Sequence, residues 1–411
     1  MSLRNDSNMI IESAINEALP NTAVKKALQY EDLSGGKLLL VSIGKAAWSM
    51  AKAACELLGS RIDEGIVITK YDHSQGDLLN IRIMEAGHPI PDANSFAATE
   101  AAIKMVSGLS PEDKVLFLIS GGGSALFEKP LIKENELENL TKQLLASGAD
   151  IVEINTIRKR LSAVKGGKFA KLCEPAQVIS VVLSDIIGDP LDMIASGPAY
   201  PDSSTSDQAV EIIRKYGITV SAEISELLKK ETPSVLNNVR TKITGSVTQL
   251  CVAAERKCRE LGYEPIVLTA SLRCQAREAG SFLASIAQYY NSSEKSLAFI
   301  SGGETVVQLK GKGKGGRNQE LALSAADGIS GLENVAVFSI GSDGTDGPTD
   351  AAGGYVDSDT KKLLAQKGIN IFETLENNDA YHALQACDGL IVTGPTGTNV
   401  NDLSVLLIKR K

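Results

Sequence analysis

Short, continuously apolar runs alternate with amphipathic stretches along most of this chain. Leu38–Ile43, Gly65–Thr69, Ile81–Ala86, Val115–Ile119 and Val178–Leu183 are apolar on consecutive positions. Runs of that length without alternation predict strands buried on both faces. Helical spacing lies between them. Ile10, Ile11, Ala14, Ile15, Ala18 and Leu19 form one stripe within residues 8–30, interrupted at Pro20. Residues 46–58, 95–106, 133–147 and 155–172 also read as helices, with Asn94 as the expected N-cap of the second of these. Strands alternating with helices predict a parallel sheet covered by helices on both sides.

The texture changes over residues 200–245. Pro201–Ser206 reads as a loop, and Thr232–Gly245 is polar and broken by Pro233. A domain boundary is expected there, giving units of residues 1–240 and 241–411. The second half restarts the alternation. Strands are predicted at 248–250, 265–268, 297–300, 305–309, 335–340, 390–392 and 404–408, and helices at 252–261, 274–290, 317–327, 359–367 and 379–386. Some connections are too short for a crossover helix, so this α/β unit is expected to hold a mixed sheet.

Five apolar runs end in loops of glycine and small polar residues. They are Ser120-Gly121-Gly122-Gly123-Ser124, Ser301-Gly302-Gly303-Glu304, Gly311–Arg317, Gly341–Gly347 and Gly394–Asn399. Glycine lets backbone N–H groups approach an anion with no Cβ in the way. Ligands of parallel sheets sit outside the carboxyl ends of the strands, where such loops fall. Lys, Arg and Asp interleaved with the glycines suit a polyanion and its metal, which points to phosphate chemistry.

Composition narrows the class. The chain has 411 residues, 43% of them hydrophobic, and a formal net charge of −8. That balance argues against a nucleic-acid surface. No apolar run reaches the roughly 20 residues of a membrane span, and the first residues lack a signal-peptide core, so a cytoplasmic protein is expected. Six cysteines without a Cys-x-x-Cys read as reduced thiols, and three histidines make a histidine-based zinc site a poor expectation.

Individual residues then acquire candidate roles. Lys45 follows a strand and opens a helix, where it can meet a phosphate or carboxylate as a point charge. Gly311–Gly316 matches G-x-G-x-x-G, but no acidic residue ends a following strand at the offset a dinucleotide fold needs. A basic glycine loop opening a helix at Arg317-Asn318-Gln319-Glu320 is the better reading, with N–H groups, the helix end and Arg317 converging on one anion. Asp343, Asp346 and Asp350 crowd one loop and suit Mg²⁺, with plain turns as the alternative. Asp185 and Asp189 lie just past the fifth strand, where either could accept a hydroxyl proton. No G-x-x-x-x-G-K-[ST] and no G-x-S-x-G occur, so neither a P-loop nor a nucleophile elbow is expected.

Together, Leu118–Leu126, Ser184–Pro201, Gly315–Leu321, Gly341–Gly354 and Thr393–Asp402 resemble the class II glycerate kinases of the MOFRL family. The resemblance runs from about residue 8 to the end. It implies an N-terminal Rossmann-like glycerate kinase domain and a C-terminal α/β MOFRL domain, with the active site in a cleft between them. It also implies ATP- and Mg²⁺-dependent phosphorylation of D-glycerate, most often at the 2-hydroxyl. Lys45 falls where the family places an active-site lysine, and Arg317 where it has a basic residue facing the site. On that basis Lys45, Arg317, Asp189 and Asp185 are the catalytic candidates. Ser120, Gly121, Gly122, Gly123, Ser124, Ser301, Gly302, Gly303, Glu304, Asn318, Gly341, Thr396 and Asn399 are the binding candidates, and Asp343 and Asp346 the metal candidates. A homodimer is left open. The rival readings are a hydroxypyruvate reductase, a name some family members carry, and a non-catalytic binder of small anions.

Overall fold

The computed structural model describes residues 2–410. Two compact units emerge, one of residues 23–184 and 189–244, the other of residues 1–22, 185–188 and 245–411. Each is built on a six-stranded sheet.

The first unit carries β1 (Leu38–Ile43), β2 (Glu64–Lys70), β3 (Ile81–Ala86), β4 (Lys114–Ile119), β5 (Gln177–Val182) and β6 (Val239–Ile243). Their order is β3-β2-β1-β4-β5-β6, and every neighbouring pair is parallel. This is the Rossmann arrangement, with the chain reversing its direction of travel between β1 and β4. β1 is buried along its whole length, as the run Leu-Leu-Leu-Val-Ser-Ile requires of a central strand. Ile43 pairs with Ile119 and Ile119 with Val182, so β1, β4 and β5 end level with one another. Phe117, Phe127 and Phe169 pack behind β4 with ring centroids 4.8–5.8 Å apart.

The second unit carries β7 (Glu264–Leu272), β8 (Leu297–Gly303), β9 (Val335–Gly341), β10 (Gly353–Asp357), β11 (Leu390–Ile391) and β12 (Asp402–Ile408). The order is β11-β10-β9-β12-β8-β7. Only β7 and β8 are parallel, so the sheet is mixed. The helices Ala276–Tyr289 and Arg317–Gly328 cover one face with alanine and leucine. Val247–Glu260 covers the other, where Gly302 is kept small by Cys251 and Val247.

Several expectations are corrected. The helix predicted over 95–106 spans Ala93–Met105 and is capped by Asp92, whose Oδ1 accepts from Ser95 N at 2.9 Å, not by Asn94. Residues 239–243 form edge strand β6, hidden in the sequence because Arg240 and Lys242 interrupt its apolar positions. Charge of this kind is how an edge strand resists pairing with other chains. Residues 248–250 begin a helix, capped by Ser246, instead of forming a strand. Ser301, Gly302 and Gly303 are not a loop but the buried end of β8, paired with β12. Residues 305–309 contribute only one isolated bridge, and β10 had no apolar signal strong enough to predict it. The N-terminal helix Leu3–Ala18 belongs to the mixed-sheet unit, where Asp6 accepts from Tyr263 Oη at 2.7 Å.

Candidate active site

In the parallel-sheet unit, the chain reversal brings two singled-out loops together. Lys45 leaves β1 and Ser120-Gly121-Gly122 leaves β4, on either side of the switch point where ligands of such sheets bind. Lys45 N donates to Gly121 O at 2.8 Å, and Ala46 N donates to Ser120 Oγ at 3.1 Å. Ser120 Oγ in turn donates to Ile43 O at 3.1 Å. Ser120 is therefore a buried staple between the loops and is not placed as a nucleophile. Gly44 sits at φ +111°, and a Cβ there would lie 2.3 Å from Ser120 Oγ, so only glycine permits this contact. A Cβ on Gly122, at φ +86°, would lie 3.1 Å from the His88 ring and 3.2 Å from Lys45 Cγ. Lys45, Gly122 and His88 are thus immediate neighbours. Lys45 is half-buried, and its ammonium makes no ion pair among the described residues.

Asp189 belongs to the same unit and adopts φ +51°. Its Oδ1 is buried without a hydrogen-bond partner among the described residues. A left-handed aspartate with an unsatisfied oxygen is a local cost of the kind that collects at functional sites. Asp185 falls in the other unit.

The mixed-sheet unit contains a cavity of about 950 Å³ whose wall includes Asp185, Arg273, Glu304, Lys312, Arg317 and Asp346. Arg317 opens its helix, and its Nε and Nη2 reach Asp402 Oδ2 and Oδ1 at 2.5 and 2.9 Å. Glu304 lies 3.5 Å from Nη1. This fork fixes the plane of the guanidinium. The bond to Asp402 raises the pKa of Arg317 still further, against desolvation. Burial pushes Asp402 above the usual carboxylate range, and Arg317 opposes it.

The anion at the helix start is the protein's own. Asp346 Oδ1 accepts from Asn318 N at 3.2 Å and Oδ2 from Gln319 N at 2.9 Å. Burial nevertheless pushes Asp346 up to about 6, against those N–H groups. The expectation that the helix end and the glycine loop present free N–H groups is corrected for Asn318, Gln319 and residues 310–314, whose N–H groups are bonded within the protein. Lys310 N and Gly311 N donate to Asn378 Oδ1 at 2.8 and 2.9 Å, Gly313 N to Asn377 O at 2.8 Å, and Lys314 N to Asp379 Oδ1 at 2.9 Å. A Cβ on Gly311 or Gly313 would run into Asn377 or Asp379. These glycines are explained by close packing on residues 377–379. That packing removes the reason for reading a dinucleotide loop.

Other candidates stand as follows. Asn318 is buried, with its Oδ1 accepting from Ser339 Oγ at 2.6 Å, and faces the core. Ser301 is buried in β8, and Gly303 packs on Leu272. Gly341 closes β9. Asp343 Oδ1 accepts from Thr345 N at 2.9 Å in an Asx turn. Thr396 ties two glycine loops together, with N to Asp343 O at 3.1 Å and Oγ1 to Ser342 O at 2.6 Å. Asn399 holds only a 3.5 Å contact from Asn401 N. Among the described residues, no three His, Cys, Asp or Glu side chains gather as a metal-binding set. No helix among them is long and apolar enough to cross a membrane. Asp402 and Asn378 were missed as site residues. Asp402 closes the noted Thr393–Asp402 motif, but its partner Arg317 lies far away along the chain.

Comparison with known proteins places the whole chain in a family. Residues 6–229 match a domain of unknown function, DUF4147, and residues 297–402 match the MOFRL family. A D-glycerate 2-kinase of Thermotoga maritima is 50% identical over 99% of both chains. A glycerate 2-kinase of Pyrococcus horikoshii is 39% identical over 100% of this chain and 98% of its own. A putative hydroxypyruvate reductase of Agrobacterium vitis is 38% identical over 91% of this chain and all of its own. A crystal structure of the Thermotoga maritima glycerate kinase superposes with a TM-score of 0.93 at 49% identity, covering 99% of each chain. The chain belongs to the glycerate kinase family in which a DUF4147 domain is followed by a MOFRL domain.

Proposed function

We propose that this protein is an ATP-dependent glycerate 2-kinase, converting D-glycerate to 2-phosphoglycerate. The observation that carries the reading is 50% identity over 99% of the chain to a D-glycerate 2-kinase, joined to a lysine at the switch point of the parallel sheet that forms no ion pair among the described residues. Phosphoryl transfer asks for positioning and charge neutralisation more than covalent chemistry. We assign Lys45 and the Gly121–Gly123 loop to an anionic group of the substrates, and Arg317, held flat by Asp402, to another. The cavity beside Arg317 is larger than a three-carbon acid needs and lies in the range of small-molecule sites, so we assign it to the nucleotide. Asp189 is our candidate for the base that takes the 2-hydroxyl proton, ahead of Asp185.

Mg²⁺ would supply charge neutralisation on the phosphates. We assign Asp346, on the wall of the cavity beside Arg317, and Asp343, in the same loop, as the carboxylates that would face the ion. With no complete ligand cage among the described residues, the ion would arrive largely held by phosphates and water, as Mg²⁺ usually does. Asp343→Asn should then raise the Mg²⁺ concentration for half-maximal rate. Unchanged metal dependence would leave Asp343 a turn residue.

The redox alternative has a relative's name in its favour, and against it stand the N–H groups of residues 310–314, which are bonded within the protein. ADP formation from ATP and D-glycerate, measured beside NADH consumption with hydroxypyruvate, tests the reading. NADH oxidation without ADP formation would overturn it. We further propose a cytoplasmic location, with a homodimer as the assembly to check.

A further inference from the structure

Behind the glycine loop that follows β4 lies a buried ion cluster with no part in the reaction as assigned above. Lys165 is fully buried. Its Nζ donates to Ser124 O at 2.8 Å and Phe127 O at 3.1 Å, and lies 3.1 Å from Glu128 Oε2. Arg158 reaches two of these three partners, Ser124 O at 3.1 Å and Glu128 Oε2 at 3.3 Å. Glu128 is buried, and its Oε1 has no partner among the described residues.

The loop is braced from a second side. Ala195 and Ser196 sit at φ +52° and +60°, a region that residues with a Cβ rarely occupy. Gly166 N and Gly167 N hold that turn through Ser196 O and Gly197 O, at 3.0 and 2.7 Å. Ser196 Oγ stands 3.1 Å from Ser124 Oγ and 3.2 Å from Asn155 Oδ1. A Cβ on Gly123 would come within 2.7 Å of Ala195 Cβ. The braced loop is the one whose Gly121 O accepts from Lys45 N and whose Gly122 lies against Lys45 Cγ.

Stability alone is a poor reason for such a cluster. Burial pushes Lys165 down to about 8, opposed by Glu128. Replacing a buried ion pair by apolar residues of similar volume is often neutral or stabilising. What the ammonium supplies that an apolar side chain cannot is two fixed bonds to loop carbonyls.

We propose that Lys165 is a positioning residue, which holds the Ser124 and Phe127 carbonyls and so fixes the glycine loop on which Lys45 rests. The inference rests on the kinase reading for its consequence in turnover. Its geometric content is separate: the environment of Lys45 depends on Lys165.

The double variant Lys165→Met, Glu128→Gln removes the buried pair without leaving a lone carboxylate. Its kcat and KM should be measured well below its melting temperature, with circular dichroism to verify the fold. Misplacing a reactive group by about 1 Å can cost on the order of 10² in rate. We expect kcat to fall roughly tenfold or more with KM for ATP nearly unchanged, and Lys165→Arg to recover part of the loss. In parallel, acylation of the Lys45 amine, scored by peptide mass, should change rate relative to wild type. The milder Lys165→Gln, which leaves Glu128 paired with Arg158, should shift that labelling in the same direction, and it keeps the test available if the double variant does not fold. A folded double variant with wild-type kcat and only a lower melting temperature would overturn the proposal, as would unchanged Lys45 labelling in both variants. Absence of glycerate phosphorylation by the wild type would overturn the kinase reading alone, because the labelling comparison needs no turnover.

Discussion

Lys45 is the residue on which most of the functional argument converges. Its backbone is fixed by Gly121 and its Cγ lies against Gly122, while its ammonium has no carboxylate partner among the described residues. Lys45→Ala should leave the fold intact and lower kcat/KM by a factor on the order of 10², as for losing a charge that meets the transferring group. Steady-state kinetics check this, and near wild-type turnover would take Lys45 out of the site. Lys168 shows the opposite use of a lysine. Its Nζ donates to Lys159 O, Arg160 O and Ser162 O at 2.9, 3.1 and 2.7 Å, closing the carboxyl end of the helix Ile151–Leu161. Burial, with Arg160 nearby, pushes it down to about 8 from a lysine's ordinary 10.5. Between those values the unfolded chain holds the proton that the folded chain has released. Wild-type stability from this group therefore rises as pH climbs from about 8 to 10.5. Urea midpoints at pH 7.5 and 9.5 should show wild type gaining on Lys168→Met at the higher pH. A constant difference would mean that the lysine is not desolvated as described.

At the scale of elements, the loop before the helix Arg317–Gly328 is shaped by a segment distant in sequence. Asn378 Oδ1 accepts from Lys310 N and Gly311 N, and its Nδ2 donates to Gln308 O and Glu320 Oε2, each at 3.2 Å. Asn378→Ala removes a partner of buried Glu320 and of the half-buried Gly311 N–H. It should cost about 1–3 kcal/mol per unsatisfied group at most, read by urea denaturation, and raise KM for ATP more than KM for D-glycerate. Equal effects on both would detach this loop from the nucleotide. The central strands and most helices were legible in the sequence because continuous burial writes itself as continuous apolar runs. β6 and β10 were not legible. β6 lies at an edge, and its charges mask its period. β10 opens on Gly353-Gly354, which packs closely on β9 and on Ala322. Ser301–Gly303 read as a loop from composition alone, although β12 and Cys251 hold it as a strand. The glycine loop at 120–124 and the Gly44-Lys45 turn do fall at the ends of β4 and β1. Which N–H groups the glycine loops leave open depends on long-range acceptors such as Asn378 and Asp346, and no local pattern records those.

For the whole molecule, the two units divide the candidate chemistry. The parallel-sheet unit holds Lys45, the Gly121–Gly123 loop and Asp189, and the mixed-sheet unit holds Arg317, Asp402 and the large cavity. Full-length matching to glycerate 2-kinases covers both. Chelation of divalent cations with EDTA should abolish turnover, and added Mg²⁺ should restore it. Turnover that survives chelation would contradict the metal's role. The central claim is best tested by phosphorus NMR of the purified protein incubated with D-glycerate, ATP and Mg²⁺. A glycerate 2-kinase should convert the γ-phosphorus signal of ATP into ADP and a phosphomonoester on the 2-hydroxyl of glycerate, in equal amounts. Inorganic phosphate as the sole new product, a phosphomonoester at the 3-hydroxyl, or an unchanged ATP spectrum would contradict it.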